Sequence, residues 1–506
     1  MFEYLLLTQL TLIFFTLVTI FAFVVRRTNK IIDNEEISGG LRDPPQPMKL
    51  PLIGHLHLLA GYKIPYQAFG VLRKKYGDIV ALKLGNVQSL VVSGHQNIRE
   101  ILVTKGYRFD SRPNFERYRM LFNGNKENSL AFCDWSDRHK FKRDMLKIHS
   151  FPRAFTNKFE SLETIISNEA KNLVSQIEGT TRIKPFLVET VCNVFTDHFC
   201  SKTFRKNEAF THMVESFDEI FYEINQGYAA DFLPFLLPFH TNHLEKINNL
   251  AREVRKFVLE YIIEDRYETL TAEDEPQDYV ECLIKQVRYG QDLDFSWNTA
   301  LFALEDVVGG HCAITNFLIK VLAYLVKEPL VQKKIQEEID AVTYLGDNKW
   351  RTVAISDRNK MPFTEGTIFE AIRMIASAIV PRVSNQDSSV NGYRIKKDTL
   401  IFLDNYDLSM SEELWDEPHK FKPERFIVNG HFVKPNHFLP FGGGRRGCMG
   451  YKMVQLVGFG MLANIMQYFT VLPVSFEDYT VPVGSLALPF DTYSFNFIKR
   501  QIDTVI

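Results

Sequence analysis

The sequence lacks a large net charge of either sign, since its formal charge is −2, and it lacks the closely paired cysteines that hold small extracellular or zinc-binding folds together. Its 59 Lys and Arg residues nearly balance 61 Asp and Glu residues, so the whole chain offers no attraction to nucleic acid. The six cysteines are scattered, which argues against a disulfide framework and predicts a reducing compartment. With 506 residues, 45% of them apolar, the chain is too long for a hormone and too apolar for a disordered protein.

The N-terminus carries one long apolar run. Tyr4–Val25 spans 22 nearly uncharged positions, about 33 Å as a helix, which matches the core of a bilayer. Arg26, Arg27 and Lys30 follow this run, whereas a cleaved signal peptide has its basic residues first. Residues 1–29 are therefore predicted to be a single-pass anchor with the body in the cytosol. An uncleaved signal or a buried core helix is the alternative.

A polar and proline-rich stretch, 30–54, follows the anchor and includes Pro44, Pro45 and Pro47. Prolines at this density stiffen a chain and remove backbone donors, so this stretch is predicted to be a hinge over the membrane. Residues 55–506 are predicted to form one body, in which no internal repeat is found.

The body is predicted to be mainly α-helical with small β-sheets, an α+β fold. Apolar residues recur at helical spacing from about 95 to 375, and Trp297–Lys327 is one long example. Short runs of strand-forming residues predict strands in Tyr76–Ser93 and Val383–Leu403, and a final hairpin-like segment in Val481–Ile498. The sheets are thus expected in the first and last thirds of the chain.

Ala230–His243 is very apolar yet carries Pro234 and Pro238, so it cannot form a regular helix. Exposed apolar patches often mark interaction sites. The segment is therefore a candidate for a second membrane contact and for the entrance of an apolar ligand. A buried loop is the competing interpretation.

The strongest chemical signal is Phe441–Gly450, which reads FGGGRRGCMG. Its glycines allow a tight loop whose backbone can approach a flat cofactor closely. Backbone N–H groups around the sulfur of Cys448 would stabilise its thiolate, the form that binds a metal. Arg446 could pair with a carboxylate on that cofactor. The alternative for a lone cysteine is a small buried side chain.

This loop resembles the haem-binding loop of the cytochrome P-450 superfamily, Phe-x-x-Gly-x-Arg-x-Cys-x-Gly. All five defined positions match, at Phe441, Gly444, Arg446, Cys448 and Gly450. The resemblance implies a cytochrome P-450 fold with haem b, in which Cys448 is the thiolate ligand of the iron and Arg446 binds a haem propionate. The anchor and proline hinge are similar to those of the microsomal branch.

A second motif of the family extends the resemblance along the chain. Glu370 and Arg373 look like its Glu-x-x-Arg helix, whose pair is expected to lock onto Arg425. From their spacing alone, Glu370 and Arg373 are an i,i+3 pair on a helix, and such a pair contributes little to stability if it is exposed. Only burial together with Arg425 would make the pair structurally decisive.

Further propionate contacts are implied on two other segments. Arg382 fits the family's second propionate contact. Trp135 opens a segment similar to the family's Trp-x-x-x-Arg helix, but His139 occupies the position of the Arg. His139 and its neighbours Arg138 and Lys140 are all candidates for the contact there.

The predicted helix 297–327 is expected to cross the distal face of the haem, where the family carries an acid and an alcohol that deliver protons. This chain has instead Gly309, Gly310, His311, Cys312 and Ala313. Each glycine costs about 1 kcal/mol relative to Ala, which suggests a ligand against bare backbone or a close helix–helix contact. Three accounts remain open: His311 relays protons, Thr315 holds the water, or oxygen activation is dispensable. Simple packing of His311 is a further alternative.

The run VVGGHCAITNFLIKVLAYLV looks like the arthropod Spook group of ecdysteroid-synthesis enzymes. This resemblance implies a monooxygenase of the endoplasmic reticulum that oxidises a sterol, 7-dehydrocholesterol, with electrons from NADPH through cytochrome P-450 reductase. Basic residues that could contact the reductase, or simply form a solvated face, are Lys140, Lys142, Arg143, Lys420, Lys422 and Lys452. An oxygen-independent haem isomerase or dehydratase and a non-catalytic haem or sterol carrier are the rival functions.

Overall fold

The computed structural model describes residues 40–62, 64–290, 295–501 and 503–505, so the predicted anchor, 1–29, lies outside the described residues. Helices dominate the described residues, as the sequence predicts. The α-helices are α1 (Leu56–Ala60), α2 (Pro65–Tyr76), α3 (His95–Arg99), α4 (Glu116–Leu121), α5 (Asp137–Ser150), α6 (Asn157–Gln176), α7 (Lys184–Cys200), α8 (Glu208–Ile224), α9 (Thr241–Phe257), α10 (Glu264–Tyr267), α11 (Tyr279–Tyr289), α12 (Trp297–Val308), α13 (Gly310–Leu325), α14 (Pro329–Thr343), α15 (Pro362–Ile375), α16 (Asn405–Met410) and α17 (Tyr451–Tyr468).

The strands are short and belong to small sheets. They are β1 (Ile79–Leu84), β2 (Val87–Val92), β3 (Gly179–Arg182), β4 (Tyr344–Gly346), β5 (Lys349–Arg351), β6 (Arg382–Val383), β7 (Ser388–Val390), β8 (Tyr393–Ile395), β9 (Leu400–Leu403), β10 (Ile427–Val428), β11 (His431–Phe432), β12 (Phe469–Leu472), β13 (Ser494–Lys499) and β14 (Asp503–Val505). The largest sheet has the order β1-β2-β9-β6, with β2 and β9 parallel. Segments from the first and last thirds of the chain therefore share one sheet.

The first hairpin depends on a glycine at its turn. Gly85 has a φ of +56°, and a Cβ on it would lie 2.1 Å from the carbonyl oxygen of Phe232. Only glycine fits such a turn, so the strands predicted in Tyr76–Ser93 form as β1 and β2. The strands predicted in Val383–Leu403 form as β7 to β9, and β6 begins one residue before that range.

The hairpin predicted in Val481–Ile498 does not form. β13 pairs with β12 on one side and with β3 on the other, and residues 481–493 contain no strand. Side chains bind peptide groups that a hairpin would have paired. For example, the ammonium of Lys184 donates to the carbonyl oxygen of Leu488 at 2.8 Å.

The long apolar helix is interrupted at Gly309, the single residue between α12 and α13, which keeps right-handed helical backbone angles of −58° and −17°. The helix predicted for 297–327 thus forms with an irregularity at Gly309 and ends at Leu325. Taken together, Trp297–Leu325 is apolar and long enough to cross a membrane, but 83% of its most apolar window is buried inside the fold. The largest core cluster packs around it, with side chains from α6, α7 and α17.

The apolar segment with two prolines is irregular, as its sequence predicts. Ala229–Asp231 and Pro234–Phe239 are 3-10 turns between α8 and α9. Phe235 and Phe239 are 62% and 82% exposed. The segment therefore presents aromatic side chains to its surroundings, and the interpretation as a buried loop is wrong for these two residues.

The described part of the predicted hinge, 40–54, lies against the body. The backbone N–H of Ala81 in β1 donates to the carbonyl of Pro45 at 2.9 Å, and the N–H of Arg42 donates to the carbonyl of Gly392 at 3.0 Å. This part of the proline-rich stretch is thus attached to two β-hairpins of the body.

Candidate active site

At one position, Gly444, the glycine-rich loop has a backbone conformation and a close contact that only glycine fits. Gly444 has a φ of +64°, and a Cβ on it would lie 2.1 Å from the carbonyl oxygen of Leu102. Across the loop, the N–H of Cys448 donates to the carbonyl of Phe441 at 3.0 Å. The turn therefore holds Cys448 directly before α17, which begins at Tyr451.

Cys448 differs from the other cysteines in its surroundings. Its side chain is exposed, whereas Cys282 is half-buried and the other four are buried. A cavity of about 590 Å³ lies against Cys448 and its loop, within the usual size range of ligand sites. Burial raises the pKa of the thiol, while the N–H of Gly450, the charge of Arg143 and the N–H of Tyr451 lower it. The thiol thus opens onto this cavity, while the surrounding protein still desolvates it.

Three arginines from distant parts of the chain meet beside this loop. Arg446 lies on the loop, Arg382 begins β6, and Arg112 precedes α4; each is less than a tenth exposed. Arg112 and Arg446 both donate to the carbonyl of Ala131, at 3.0 and 3.2 Å, and Nη2 of Arg382 lies 3.4 Å from the carbonyl of Arg446. Burial lowers the pKa of Arg382 to about 9, and the charge of Arg446 adds to this shift.

This arginine cluster, Arg112, Arg382 and Arg446, has donors that the described residues do not use. Nη1 of Arg382 and Nε of Arg446 are buried without a hydrogen-bond partner, although buried donors are almost always paired. The nearby acid, Asp110, is already paired with Arg445 at 2.6 Å. The cluster therefore suits a bound group that brings its own carboxylates.

Trp135 and His139 lie at the start of α5. Ser136 caps this helix by accepting the N–H of His139 at 3.1 Å. The imidazole donates from Nε2 to the carbonyl of Leu130 at 3.0 Å and accepts Nη1 of Arg446 at Nδ1, 2.8 Å away. Burial and then the charge of Arg446 lower the pKa of His139 to about 2. The ring is therefore neutral and adds no charge to the arginine cluster; it also meets the ring of Trp135 edge to face.

Glu370, Arg373 and Arg425 form one buried ion-pair group. Glu370 and Arg373 are fully buried, and Arg373 donates to both carboxylate oxygens of Glu370, at 2.8 and 2.7 Å. Nε of Arg425 reaches the same carboxylate at 3.2 Å, as does the backbone N–H of Lys422 at 2.8 Å. The carboxylate therefore ties α15 to the segment around Arg425.

One stripe of the distal helices α12 and α13 remains partly accessible inside the core. Between residues 302 and 326, the partly exposed positions are Asp306, Gly309, Gly310 and Ala313, and the others are buried. Steps of three and four residues place these four on one face of a helix. This face, the distal stripe, therefore keeps some accessible surface, whereas the other faces are buried.

The remaining distal candidates lie on the packed faces. His311, Cys312 and Thr315 are all 0% exposed. Nδ1 of His311 donates to the carbonyl of Val308 at 2.6 Å, and its Nε2 lies 3.4 Å from Sγ of Cys312. Oγ1 of Thr315 is buried without a hydrogen-bond partner. These side chains do not reach the distal stripe, so they could influence proton delivery only indirectly, through the position of the helix.

Gly309 and Gly310 are closely packed by aromatic rings. A Cβ on Gly309 would lie 3.0 Å from a ring carbon of Phe217 in α8, and one on Gly310 would lie 3.1 Å from Phe195 in α7. Both distances are tighter than ordinary contact. Close helix packing is therefore a sufficient reason for glycine at both positions.

Comparison with known proteins decides the family. The family model described as Cytochrome P450 matches residues 44–497. The chain belongs to the cytochrome P450 family. It is 36% identical to cytochrome P450 307a1 of Drosophila melanogaster over 90% of this chain and 89% of that protein. It is 29% identical to a steroid 17-alpha-hydroxylase/17,20 lyase of Rana dybowskii, over 91% and 92%, and 28% identical to cytochrome P450 1A1 of Mesocricetus auratus, over 90% and 89%.

Membership of the family gives the enzyme class and the cofactor of this P450. It is a haem-thiolate monooxygenase with haem b, which takes electrons from a reductase partner, and the resemblance predicted from the sequence is confirmed. The described residues fit haem b. The accessible thiol of Cys448 offers an iron ligand, and the unpartnered nitrogens of Arg382 and Arg446 suit the two propionates.

Two residues of the site in this P450 were not found from the sequence. Arg112 joins the arginine cluster from a segment that carries no motif. Asp306 lies on the distal stripe, where its carboxylate accepts the hydroxyl of Ser129 at 3.0 Å and the backbone N–H of Leu130. The one signal for Asp306 is its position a helical turn before Gly309, and no comparable signal exists for Arg112.

The basic residues of α5 in this P450 divide between its two faces. Lys142, expected to contact the reductase, is 2% exposed and donates to the carbonyl of Glu127 at 3.2 Å. That expectation is wrong, because the ammonium is bound inside the protein. The other five basic residues named for the reductase keep at least partial exposure. Arg138 is exposed as well, whereas His139 is buried and contacts Arg446 of the arginine cluster.

Proposed function

We propose that this P450 oxidises an apolar sterol with O2 and NADPH-derived electrons, as an early step of ecdysteroid synthesis from 7-dehydrocholesterol. The observation that carries the proposal is the 36% identity to cytochrome P450 307a1 along nearly the whole chain. The similarity to a protein named as a steroid hydroxylase and lyase supports the same substrate class.

Cys448 is the proposed thiolate ligand of the haem iron. Phe441, Gly444 and Gly450 shape the loop around it, since Gly444 accommodates the close approach of Leu102 and the N–H of Gly450 faces the sulfur. Backbone N–H groups near the sulfur favour the thiolate over the thiol. When bound, haem supplies the oxidation chemistry; the loop supplies the ligand and its electrostatic surroundings.

The arginine cluster is proposed to hold the haem propionates. Nη1 of Arg382 and Nε of Arg446 are the available donors, and Arg112 adds a third guanidinium beside them. His139 positions Arg446 through its Nδ1. Trp135 lies next to His139 and under Arg445, whose guanidinium is 4.8 Å from the centre of the indole ring.

The distal stripe is proposed to face the substrate. Gly309 and Gly310 keep partial accessibility there although Phe217 and Phe195 pack against them, Ala313 adds only a methyl group, and Asp306 places a carboxylate at one end. Protons are expected to reach the site through water along this stripe. His311, Cys312 and Thr315 are assigned to the packing that keeps the distal helices in place.

The membrane is the proposed source of the substrate. Ala230–His243 would touch it through the exposed rings of Phe235 and Phe239. Residues 1–29 would form the single-pass anchor in the endoplasmic reticulum and 30–54 the hinge. The catalytic body, 55–506, would face the cytosol, where NADPH–cytochrome P450 reductase can dock on its exposed basic residues.

Oxygen-independent isomerisation or dehydration is a second candidate, because Cys312 and Ala313 replace the acid and alcohol of the family. The discriminating experiment incubates microsomes that contain the protein and reductase with 7-dehydrocholesterol, with and without NADPH, followed by mass spectrometry. The proposal predicts a product that requires NADPH. Conversion without NADPH would support the second candidate, and a sterol-induced spectral change without any product would support a carrier.

The matched control for this incubation is Cys448→Ala in the same membranes. It should form no product under either condition, because the proposed iron ligand is absent. Product from the Cys448→Ala microsomes would show that another protein in the membranes is responsible.

A further inference from the structure

A buried ring of hydrogen bonds joins α7, α8, α13 and the irregular segment near the C-terminus. Asp218 in α8 accepts the ammonium of Lys184 at 2.6 Å on one carboxylate oxygen and the side-chain amide of Asn316 at 3.0 Å on the other. Lys184 begins α7 and Asn316 lies in α13. One carboxylate therefore connects three helices.

The ring closes through the backbone of Leu488. The ammonium of Lys184 donates to the carbonyls of Leu488 and Pro489 at 2.8 and 3.1 Å, and the N–H of Leu488 donates to Oδ1 of Asn316 at 3.0 Å. Lys184, Asp218, Asn316 and Leu488 are each at most 1% exposed. Both peptide groups of Leu488 are thus bound by side chains of the helices.

The segment 482–489 depends on such side chains because it contains no regular secondary structure. Buried peptide groups outside helices and sheets need other partners. A second buried lysine, Lys320 in α13, donates to the carbonyls of Ser485 and Pro482. Two ammonium groups therefore bind four carbonyls of this segment, which we term the clamped segment.

The clamped segment lies between the distal helix and the chain that leads to Arg382. On one side Asn316 also donates to the carbonyl of Cys312 at 2.8 Å. On the other side the N–H of Gly484 donates to the carbonyl of Ile375 at 2.7 Å, at the end of α15. Residues 482–486 are therefore partly accessible between the distal helix and the chain that leads to Arg382.

We propose that Lys184, Asp218 and Asn316 are positioning residues that fix the clamped segment to α8, and that they thereby set the shape offered to a rigid apolar substrate. α8 ends at Ile224, shortly before the partly exposed apolar segment 230–243, so the ring would connect the candidate entrance with one wall of the site. The proposal rests on the proposed function only for the identity of the substrate.

If the ring were purely structural, removing it would lower the amount of folded, haem-loaded protein without a specific change in ligand binding. A buried ion pair can often be replaced by apolar residues of similar volume without loss of stability. The double variant Lys184→Met/Asp218→Leu is therefore expected to keep the fold, because it removes the donor to Leu488 without leaving an unpaired buried charge. The single variant Asp218→Asn keeps the volume but leaves the ammonium of Lys184 without its carboxylate.

The experiment uses the full-length haem-loaded P450 in nanodiscs and compares these variants with Glu169→Gln. Glu169 is a buried acid of α6 that pairs with Arg205 and lies outside the ring. Three quantities are measured: the fraction with a normal ferrous–carbonyl spectrum, amide hydrogen exchange in 482–489, and the dissociation constants of 7-dehydrocholesterol and of the bulky azole clotrimazole.

Both ring variants are expected to raise the amide hydrogen exchange rate at Leu488 and to raise the clotrimazole dissociation constant about tenfold. The fraction of protein with a normal ferrous–carbonyl spectrum should stay unchanged. Glu169→Gln should change neither quantity. Unchanged exchange at Leu488, or faster exchange with unchanged clotrimazole binding, in the double variant would overturn the proposal. If the unmodified protein binds clotrimazole but not 7-dehydrocholesterol, the proposed substrate fails while the ring is still judged on exchange and azole binding.

Discussion

Glu370 receives two hydrogen bonds from Arg373, three residues later on α15, and both side chains are completely shielded from solvent. An exposed pair with this spacing would contribute a few tenths of a kcal/mol. Burial changes its role, because each charge has lost its water and depends on the other. Arg425 and the N–H of Lys422 complete the coordination of the carboxylate.

Glu370→Gln is expected to destabilise the fold strongly. The amide leaves two buried guanidinium groups without a counter-charge, which should lower the free energy of unfolding by about 3 kcal/mol or more. Urea denaturation followed by haem absorbance measures this loss. Glu337→Gln, which breaks an exposed i,i+4 pair with Lys333, is the control and should leave the midpoint unchanged; equal midpoints for the two variants would contradict the assignment.

Arg112→Gln is expected to weaken haem retention. A charge-assisted hydrogen bond is typically worth about 1.5–3 kcal/mol, so loss of this guanidinium should speed haem transfer to apomyoglobin about tenfold or more. Arg119→Gln, at an exposed position a few residues later on α4, should transfer haem at the rate of the unmodified protein. Identical transfer rates for the two variants would remove Arg112 from the propionate site.

Buried histidines are expected to make the fold sensitive to acid. Burial lowers the pKa of His149 and of His198 to about 4, with the charge of Lys158 adding to the shift at both. Between about pH 6.5 and pH 4 the unfolded chain binds protons at these rings and the folded chain does not, so stability falls as the pH falls through this window. Above about pH 6.5 both rings are neutral in the folded and the unfolded chain, so they no longer lower the free energy of unfolding.

His149→Gln measures one part of this acid sensitivity. Lowering the pKa of His149 from about 6.5 to about 4 corresponds to about 3 kcal/mol, so the variant should lose less stability between pH 6.5 and pH 4, by up to that amount. The ring of His149 contacts Lys158 and Cys282, and neither of these contacts involves the haem site. Urea midpoints at several pH values provide the measurement, with the exposed His212→Gln as control. A slope equal to that of the unmodified protein would contradict the prediction.

Thr315→Val is expected to leave oxygen use unchanged. The hydroxyl is buried without a partner, so its replacement by a methyl group of similar shape should be neutral or raise stability by about 1 kcal/mol. Hydrogen peroxide released per NADPH consumed reports whether the hydroxyl holds a functional water. A clear rise in peroxide release would return Thr315 to proton delivery despite its buried position.

The parts of the site that the sequence predicted are those encoded within a few consecutive residues. The loop around Cys448 could be recognised because its glycines, Arg446 and the cysteine stand at fixed spacing in one run. Glu370 and Arg373 share one helical turn, so their pairing was also visible. Burial of that pair with Arg425 could not be derived from spacing, because it depends on how distant segments pack.

The errors have the same physical origin. The hairpin expected in 481–498 was wrong because side chains more than 160 residues away, such as Asn316, bind its peptide groups. Lys142 was expected on the surface, but the carbonyls of Glu127 and Asn128 bind its ammonium inside the fold. Arg112 was missed because it reaches the site across long sequence distances. A pattern in one segment carries no information about such contacts.

The ligand assignment at Cys448 is tested most directly by the absorbance spectrum of the reduced protein under carbon monoxide. The unmodified, haem-loaded P450 should show the red-shifted Soret band of thiolate-ligated haem, and Cys282→Ala should keep it. Cys448→Ala, reconstituted to the same haem content, should lose that band. Retention of the band in Cys448→Ala, or its absence from the unmodified protein at full haem content, would contradict the assignment.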